Sequence, residues 1–230
     1  ELVEQGADIL DVGGESTRPG AAAVTVADEL ERAVPVVAGI AARLDVAISV
    51  DTSTAEVISQ AASAGAHLIN DVRALRRDGA LQAAADSQLP VCLMHMQGEP
   101  DSMQKAPTYE DVVGDIHAFL AERIAACSAV GINKERLILD PGFGFGKSLA
   151  HNYQLLNQLE TFHQLGLPLL VGMSRKSMIG KVLNDCAADQ RLIGSVAAAV
   201  IAAMKGTAIM RVHDVAETHD ALKIVEATLA

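Results

Sequence analysis

The sequence predicts a parallel α/β fold, in the form of a (β/α)8 TIM barrel. Apolar strand-like runs alternate with amphipathic helical stretches along the whole chain. Half of the residues are hydrophobic but only 3% are aromatic, so the core is built from Ala, Val, Ile and Leu, as in packed helices and parallel strands. Polar residues follow nearly every strand, which favours a closed barrel over the alternative, a doubly wound open sheet with its site at one switch point.

The elements follow one another in a regular order. Residues 1–8, ELVEQGAD, are typical of the last turn of a helix that ends at Gly6. Strands are predicted at 8–12, 47–50, 67–70, 91–94, 137–139, 169–172 and 208–212. Helices are predicted at 26–44, 54–64, 80–87, 109–130, 151–165, 191–205 and 215–229. Because a barrel has eight units, we expect the first strand and part of the first helix to be missing from this chain.

Several predicted helices have recognisable ends. Thr25 with Asp28 three residues later resembles a capping box. Glycines that favour helix termination follow four of the helical runs, at Gly65, Gly131, Gly166 and Gly206. No linker or low-complexity tract interrupts the pattern, so one domain is predicted over residues 1–230.

Composition and charge exclude several functional classes. A net charge of −11 makes nucleic acid and anionic membranes poor partners. No signal peptide is visible, and no apolar run approaches the length of a membrane span. Cys92, Cys127 and Cys186 are odd in number and scattered, which indicates reduced thiols in a cytoplasmic protein rather than a disulfide framework or a zinc cluster.

The stretch LILDPGFGFGKS, residues 137–148, is the most distinctive in the chain. A buried strand ends at Asp140, Pro141 stops the ladder, and three glycines then alternate with Phe143 and Phe145. Large rings on a glycine-rich loop form an adaptable wall for a flat ligand, although a tight turn that caps the core explains the pattern equally well. A phosphate-binding P-loop is excluded, because its first glycine would have to occupy the position of Pro141.

Polar residues lie at or just past the end of every predicted strand. They are Asp11, Glu15, Ser16, Thr17, Arg18, Asp51, Thr52, Asn70, Asp71, His95, Asp140, Ser174, Arg175, Lys176, Ser177, Arg211, His213 and Asp214. Taken singly, Asp51, Asp71 or Ser177 is more simply a helix cap. In a barrel all these strand ends converge on one mouth, so the whole set favours an active site.

The basic residues indicate the kind of ligand. Arg18, Lys147, Lys176 and Arg211 fall at strand ends in an acidic protein, which indicates a phosphate-bearing ligand. The carboxylates and Asn70 offer the acceptors and the donor that a polar heterocycle requires. The residues therefore predict a phosphorylated polar ring as substrate.

Seven ordered motifs resemble the bacterial dihydropteroate synthases over the whole chain. They are DVGGESTRPGA (11–21), SVDTS (49–53), HLINDV (67–72), LMHMQG (93–98), LDPGFGFGKS (139–148), VGMSRKSMIG (171–180) and RVHDV (211–215). The resemblance implies a transferase that joins 4-aminobenzoate to 6-hydroxymethyl-7,8-dihydropterin diphosphate, releases pyrophosphate and is the target of sulfonamides. It also implies an SN1-like reaction, with Asp51 near the developing cation and no protein nucleophile.

By matching motifs, the resemblance assigns residues to three binding sites and to catalysis. The implied pterin pocket consists of Asp51, Asn70, Met94, Asp140, Gly172 and Lys176. The implied diphosphate site consists of Thr17, Arg211, Val212 and His213. The implied aminobenzoate site consists of Arg18, Pro19, Phe145, Lys176 and Ser177. The catalytic residues would be Asp51, Lys176, Arg211 and His213.

The resemblance also implies Mg2+ and a homodimer. The Asn that helps to bind the metal lies in the family's first loop, which precedes Glu1, so no metal ligand is expected in this chain. Two alternatives stay open, a pterin-binding methyltransferase barrel and an inactive pterin-binding fragment. The STRPG and SRKS runs favour the synthase, because a methyl transfer has no diphosphate to hold.

Overall fold

The computed structural model describes residues 1–17, 21–22, 24–98, 103 and 107–230. Its seven strands are all parallel: β1 (Ile9–Gly13), β2 (Ala47–Asp51), β3 (Leu68–Asp71), β4 (Val91–Met94), β5 (Leu137–Asp140), β6 (Leu170–Val171) and β7 (Ile209–Met210). They follow one another in sequence order, β1 to β5 in one sheet and β6 with β7 in a second, and a parallel bridge between Leu139 and Leu169 links the two. The predicted parallel α/β fold is confirmed.

The helices lie between the strands in the chain. They are α1 (Val26–Ala41), α2 (Ala55–Ala64), α3 (Ala80–Ser87), α4 (Val112–Ala129), α5 (Leu149–Asn157), α6 (Ser177–Val182), α7 (Leu192–Met204) and α8 (Val215–Leu229), with 3-10 helices at Lys134–Arg136, Leu159–Leu165 and Ala188–Gln190. The continuous helix predicted at 151–165 is wrong, because α5 ends at Asn157 and a 3-10 helix follows. Leu159 and Phe162 are both buried, and their spacing of three residues fits a 3-10 helix as well as an α-helix.

Predicted helix ends agree with the structure. The Thr25 hydroxyl oxygen accepts the Asp28 N–H at 3.1 Å and caps α1. Gly65 adopts a left-handed conformation with φ of 108° directly after α2, and Gly166 does the same with φ of 67° after the 3-10 helix.

The core consists mainly of aliphatic side chains between the strands and the surrounding helices. A second, smaller cluster lies just past the carboxyl ends of β3 and β4, where Val72, Met94, Met96 and Met103 pack with Phe145. This end of the strands therefore has an apolar patch beside its polar residues.

The first and last strands come together at the same mouth. Arg211 follows β7 directly, and its guanidinium contacts Asp11 on β1, 200 residues earlier in the chain. The strand series therefore curves round on itself, as a barrel requires. Among the described residues, no helix is long and apolar enough to cross a membrane.

Candidate active site

One guanidinium joins the acidic side chains of two strands. Arg211 Nε donates to Asp11 Oδ2 at 2.6 Å, and a terminal nitrogen of the same group lies 3.3 Å from Asp51 Oδ2. Both carboxylates are mostly buried, whereas the Arg211 side chain is 48% exposed. Burial alone would disfavour the charge of Arg211, but the two carboxylates outweigh it and raise its pKa. The pairing therefore leaves a charged, accessible cation at the mouth.

Asp51 carries a strongly perturbed carboxyl group. Burial, and then the negative charge of Asp11, raise its pKa to about 7, although Arg211 acts in the opposite direction. Asn70, buried on β3, donates its side-chain amide to Asp11 at 3.2 Å. The other oxygen of Asp11, Oδ1, is buried without a hydrogen-bond partner among the described residues. These side chains form an acidic cluster that is incompletely neutralised.

Asp140 and Lys176 supply a second pair of opposite charges. Asp140 is buried at the end of β5 and accepts the Gly142 N–H at 2.7 Å. Burial raises its pKa, and Lys176 is the main influence that lowers it. Burial lowers the pKa of Lys176 to about 8, while the charge of Asp140 raises it. Near neutral pH, the protonated and neutral forms of Lys176 therefore differ little in free energy.

The glycine-rich loop, residues 141–148, contacts Lys176 in two ways. The Lys176 ammonium donates to the Phe143 carbonyl oxygen at 2.5 Å and lies 4.6 Å from the centre of the Phe145 ring. Phe145 also packs against the cluster that contains Met94. The loop thus gives the mouth an aromatic wall directly beside a cation, which suits a planar anionic ligand.

His213, which follows β7, is oriented by the segment that follows the neighbouring strand, β6. Its Nδ1 lies 3.0 Å from the hydroxyl of Ser174, and that hydroxyl also accepts the His213 backbone N–H at 3.2 Å. Ser174 is itself buried after β6. His213 is an exposed residue, and Ser174 holds its ring at Nδ1.

An ion pair that the sequence did not predict joins the segments after β6 and β7. Arg175 donates to both carboxylate oxygens of Asp214, and this pairing lowers the pKa of Asp214. The Arg175 backbone has a φ of 57°, and the Ser195 hydroxyl accepts its N–H at 2.9 Å. The pair links the loop that carries Lys176 to the segment that carries His213.

The other predicted site residues are distributed around this mouth. Thr17 is half-buried on the loop after β1, Val212 is half-buried between Arg211 and His213, and Ser177 is the exposed first residue of α6. A Cβ at Gly172 would lie 3.6 Å from that of Arg211, so Gly172 packs beside the arginine. Arg18 and Pro19 lie outside the described residues.

Past the carboxyl ends of β1, β2 and β3, a charged network joins three successive strand-to-helix loops. Glu15 after β1 lies 3.2 Å from a terminal nitrogen of Arg73 and 3.1 Å from one of Arg77, both after β3. Arg73 also donates to Ser53, and Arg77 to Thr54, at the start of the helix after β2. Sequence reasoning missed the two arginines because their partners are about 20 and 60 residues away. The only local signal was a basic run, R-A-L-R-R, that begins two residues after the strand-end acid Asp71.

Two expectations about single residues have clear outcomes. Asp71 caps the turn that follows it, because its carboxylate accepts the backbone N–H groups of Arg73 and Leu75, both at 2.8 Å. The prediction that Lys147 belongs to the anion-binding cations is wrong. Lys147 is only 3% exposed, and its ammonium contacts His95 and two backbone carbonyl oxygens of its own loop.

Taken together, the parallel barrel and its mouth define a class of enzyme. Buried carboxylates and an amide suit the edge of a polar ring, and an exposed arginine beside a histidine suits an anion. In agreement, the family model described as "Pterin binding enzyme" matches residues 1–213.

Known relatives narrow the class. A dihydropteroate synthase of Escherichia coli K12 is 60% identical over 229 residues, which is 100% of this chain and 81% of the relative. One of Haemophilus influenzae is 56% identical over 228 residues, which is 99% of this chain and 82% of the relative. The chain therefore belongs to the dihydropteroate synthase family of pterin binding enzymes, and the recognition made from its motifs is confirmed.

Solved structures support the same family. A Yersinia pestis dihydropteroate synthase in complex with a sulfonamide drug superimposes with a TM-score of 0.98 at 60% identity, over 99% of this chain and 82% of that one. A Xanthomonas albilineans dihydropteroate synthase with 4-aminobenzoic acid gives 0.95 at 52% identity, over 100% of this chain and 82% of that one. The predicted TIM barrel fold is confirmed by these likenesses.

Proposed function

We propose that the protein condenses 6-hydroxymethyl-7,8-dihydropterin diphosphate with 4-aminobenzoate, giving 7,8-dihydropteroate and pyrophosphate. The observation that carries the proposal is the exposed Arg211 cation, held by Asp11 and Asp51 at the mouth that also contains Asp140 and Lys176. The reaction needs an anion site and a ring site side by side, and these residues offer both. The names of the relatives support the same activity.

The pterin would bind among the buried polar groups. Asp140 would accept hydrogen bonds from the amino-pyrimidine edge, Asn70 would contact the ring nitrogens, and Lys176 would donate to a ring oxygen or nitrogen. Asp51 would face the ring close to the reacting CH2. Met94 and Gly172 would form the apolar walls. The high pKa values of Asp51 and Asp140 support this role, since a cationic or N–H-rich ring would stabilise both carboxylates in their ionised forms.

The diphosphate would bind to Arg211 and His213, with Thr17 and the backbone at Val212 alongside. The pairing of Arg211 with Asp11 and Asp51 uses Nε and one terminal nitrogen, so its exposed guanidinium has further N–H donors to offer. His213 would add a second donor, and the contact of its Nδ1 with Ser174 would fix the direction of the ring.

The aminobenzoate would bind at the outer rim, beside the Phe145 ring. Lys176 and Ser177 would border it from the loop after β6, and Arg18 and Pro19 from the loop after β1. A planar anion fits between a cation and an aromatic face. A sulfonamide has the same shape and an anionic group at the corresponding end, and we therefore propose that it competes for this site.

The chemical step would begin with loss of pyrophosphate. The C–O bond between the pterin CH2 and the diphosphate breaks, its electron pair leaves with pyrophosphate, and positive charge spreads into the pterin. Asp51 would stabilise that charge, while Arg211 and His213 stabilise the departing anion. The amine lone pair of 4-aminobenzoate then forms the new C–N bond, and the nitrogen loses a proton to water or to pyrophosphate. Lys176 would orient both substrates.

Mg2+ is proposed from the family resemblance alone. Within the described part of the chain, no group of three or more His, Cys, Asp or Glu side chains could hold a metal ion. An ion bound through diphosphate oxygens needs few protein ligands.

Two further proposals concern assembly and location. Apolar side chains are exposed on α7 and α8, with Ile193 at 78%, Ile224 at 69% and Leu229 at 62%, which supports a homodimer that buries them. The thiols of Cys92 and Cys127 are free and buried, in keeping with a reducing, cytoplasmic environment.

The decisive experiment supplies the full-length gene product with pterin diphosphate, labelled 4-aminobenzoate and magnesium. We expect labelled dihydropteroate and stoichiometric pyrophosphate. A folded protein that forms neither product would eliminate the synthase function. Arg211→Ala should weaken pyrophosphate binding by about 2 kcal/mol, the value of a charge-assisted hydrogen bond. Lys223→Ala, a change of an exposed lysine on α8, is the matched control.

A further inference from the structure

The buried amino group of Lys147 is a polar group that the proposed reaction does not use. Lys147 is 3% exposed, so neither substrate can reach it. Burial lowers its pKa well below the usual lysine range, while Asp140 acts to raise it. A buried lysine is unfavourable for folding unless its hydrogen bonds are satisfied, and Lys147 satisfies them within its own loop and at His95.

Lys147 Nζ has three hydrogen-bonding partners. They are His95 Nδ1 at 3.1 Å, the Gly142 carbonyl oxygen at 2.7 Å and the Phe145 carbonyl oxygen at 3.0 Å. Burial, reinforced by Lys147 and Arg76, lowers the pKa of His95 to about 2, so its ring is neutral where it meets Lys147. Lys147 therefore ties both ends of the Gly142–Phe145 turn to the residue that follows β4.

The backbone of this turn is unusual and depends on such support. Gly142, Gly144 and Gly146 all have positive φ angles, of 74°, 83° and 63°. The Asn152 side chain accepts the Gly144 N–H at 2.7 Å, and the Tyr109 hydroxyl donates to the Gly146 carbonyl oxygen at 2.8 Å. The Asn152 and Tyr109 side chains thus bind the backbone of the loop at two of its glycines.

The opposite side of the same turn contacts the mouth. The Phe143 carbonyl oxygen accepts a hydrogen bond from Lys176 at 2.5 Å, and the Phe145 ring lies 4.6 Å from the same ammonium. The contacts of Lys147 with Gly142 and Phe145 flank the Phe143 carbonyl on both sides in the chain. A displacement of the turn would therefore move both groups that meet Lys176.

We propose that Lys147 is a positioning residue, whose ammonium sets the turn that presents the Phe143 carbonyl and the Phe145 ring to Lys176 and thereby shapes the aminobenzoate site. The inference rests on the proposed function. The pterin site would depend less on Lys147, because Asp51 and Asn70 belong to strands of the main sheet, whereas the Phe145 ring borders the aminobenzoate site alone. Asp140 and Lys176 contact the turn and would carry the smaller effect on the pterin. The expected signature is a selective loss of affinity for aminobenzoate.

The test compares Lys147→Met, which keeps the volume and removes the donors, with Tyr109→Phe, which removes only the bond to Gly146. Lys223→Met on α8 is the control. In the full-length protein, kcat and both KM values are measured together with the melting temperature. We expect the KM for 4-aminobenzoate to rise about tenfold in Lys147→Met and about threefold in Tyr109→Phe, with less than about a twofold change for pterin diphosphate.

The outcomes distinguish a failure of the proposed function from a failure of the positioning role of Lys147. A wild-type protein that makes no dihydropteroate overturns the proposed function. An active wild type whose variants change both KM values equally, or neither, overturns the positioning role of Lys147 alone. If Lys147→Met does not fold, Tyr109→Phe decides the question by the same selective rise or its absence.

Discussion

The shared guanidinium makes the pKa of Asp51 a sensitive probe of the site. Replacement of Asp11 by Asn removes a carboxylate that raises this pKa and leaves Arg211 to Asp51 alone. Both changes favour the ionised form of Asp51. We therefore expect the pKa of Asp51 to fall from about 7 in the Asp11→Asn variant.

The contact distances give the size of the effect. Since one guanidinium bonds to Asp11 at 2.6 Å and to Asp51 at 3.3 Å, the two bound oxygens are at most about 8 Å apart. At an effective dielectric constant of about 20, two unit charges at that distance repel by about 2 kcal/mol, which corresponds to about 1.5 pKa units. The pKa of Asp51 should thus fall clearly below 7.

The assay follows the carboxyl carbon resonances of protein labelled with 13C-aspartate from pH 4 to 9. The Asp51 signal is assigned from its loss in Asp51→Asn. Asp220→Asn serves as control, because Asp220 is 79% exposed on α8. The acid limb of kcat/KM, which reports the free enzyme, should move in the same direction. A midpoint for Asp51 that stays near 7 in Asp11→Asn would refute the reasoning.

Three further predictions use the same structure. Lys176 has a pKa lowered to about 8 by burial, so kcat/KM should fall above about pH 8, and this fall should disappear in Lys176→Arg when product formation is measured up to pH 10. In Gly142→Ala the new Cβ would lie 1.8 Å from the His95 carbonyl oxygen, so urea unfolding should show a loss above about 3 kcal/mol, against about 1 for Gly131→Ala, which has a positive φ but nothing within 4 Å. Because the pKa of Asp51 is raised, the native state binds its proton more tightly than the unfolded chain does, and wild-type stability should decrease from about pH 4 to 7. Asp51→Asn should lack this decrease, and its stability relative to wild type should rise over that interval by as much as about 4 kcal/mol; equal pH dependence in both would count against the raised pKa.

The fold was readable from the sequence because its strands are buried on both faces. Runs such as Val91–Met94 and Leu137–Asp140 are almost wholly apolar. A polar residue, His95 or Asp140, marks the end of each. Where the sequence shows no regular spacing of hydrophobic residues, the prediction of secondary structure was weaker. The six-residue helix Ser177–Val182 was missed, because it is too short for a hydrophobic period to appear.

The sequence predicted which polar residues lie at the strand ends, but not which of them form ion pairs with one another. The sequence indicated that Asp51 and Arg211 reach one mouth, yet nothing local shows that Arg211 would also bind Asp11, 200 residues away. Lys147 illustrates the opposite failure. It was predicted to be an anion-binding cation because it falls at a strand end in an acidic protein, and no local signal showed that it would be buried against His95, 52 residues earlier.

The pairing of Arg211 with Asp11 and Asp51 explains how the leaving anion and the developing pterin cation can both be stabilised during the proposed reaction. In the absence of substrate, Arg211 partly neutralises Asp11 and Asp51, and it does so incompletely, since the pKa of Asp51 is still raised to about 7. A diphosphate would attract the same guanidinium, so its binding would leave Asp51 with less compensation. That carboxylate would then interact most favourably with a cation, which is what the pterin becomes as the C–O bond breaks. The residue that holds the leaving anion is thus also the counter-ion of the residue that faces the developing cation, and the two ends of the breaking bond are coupled through one side chain.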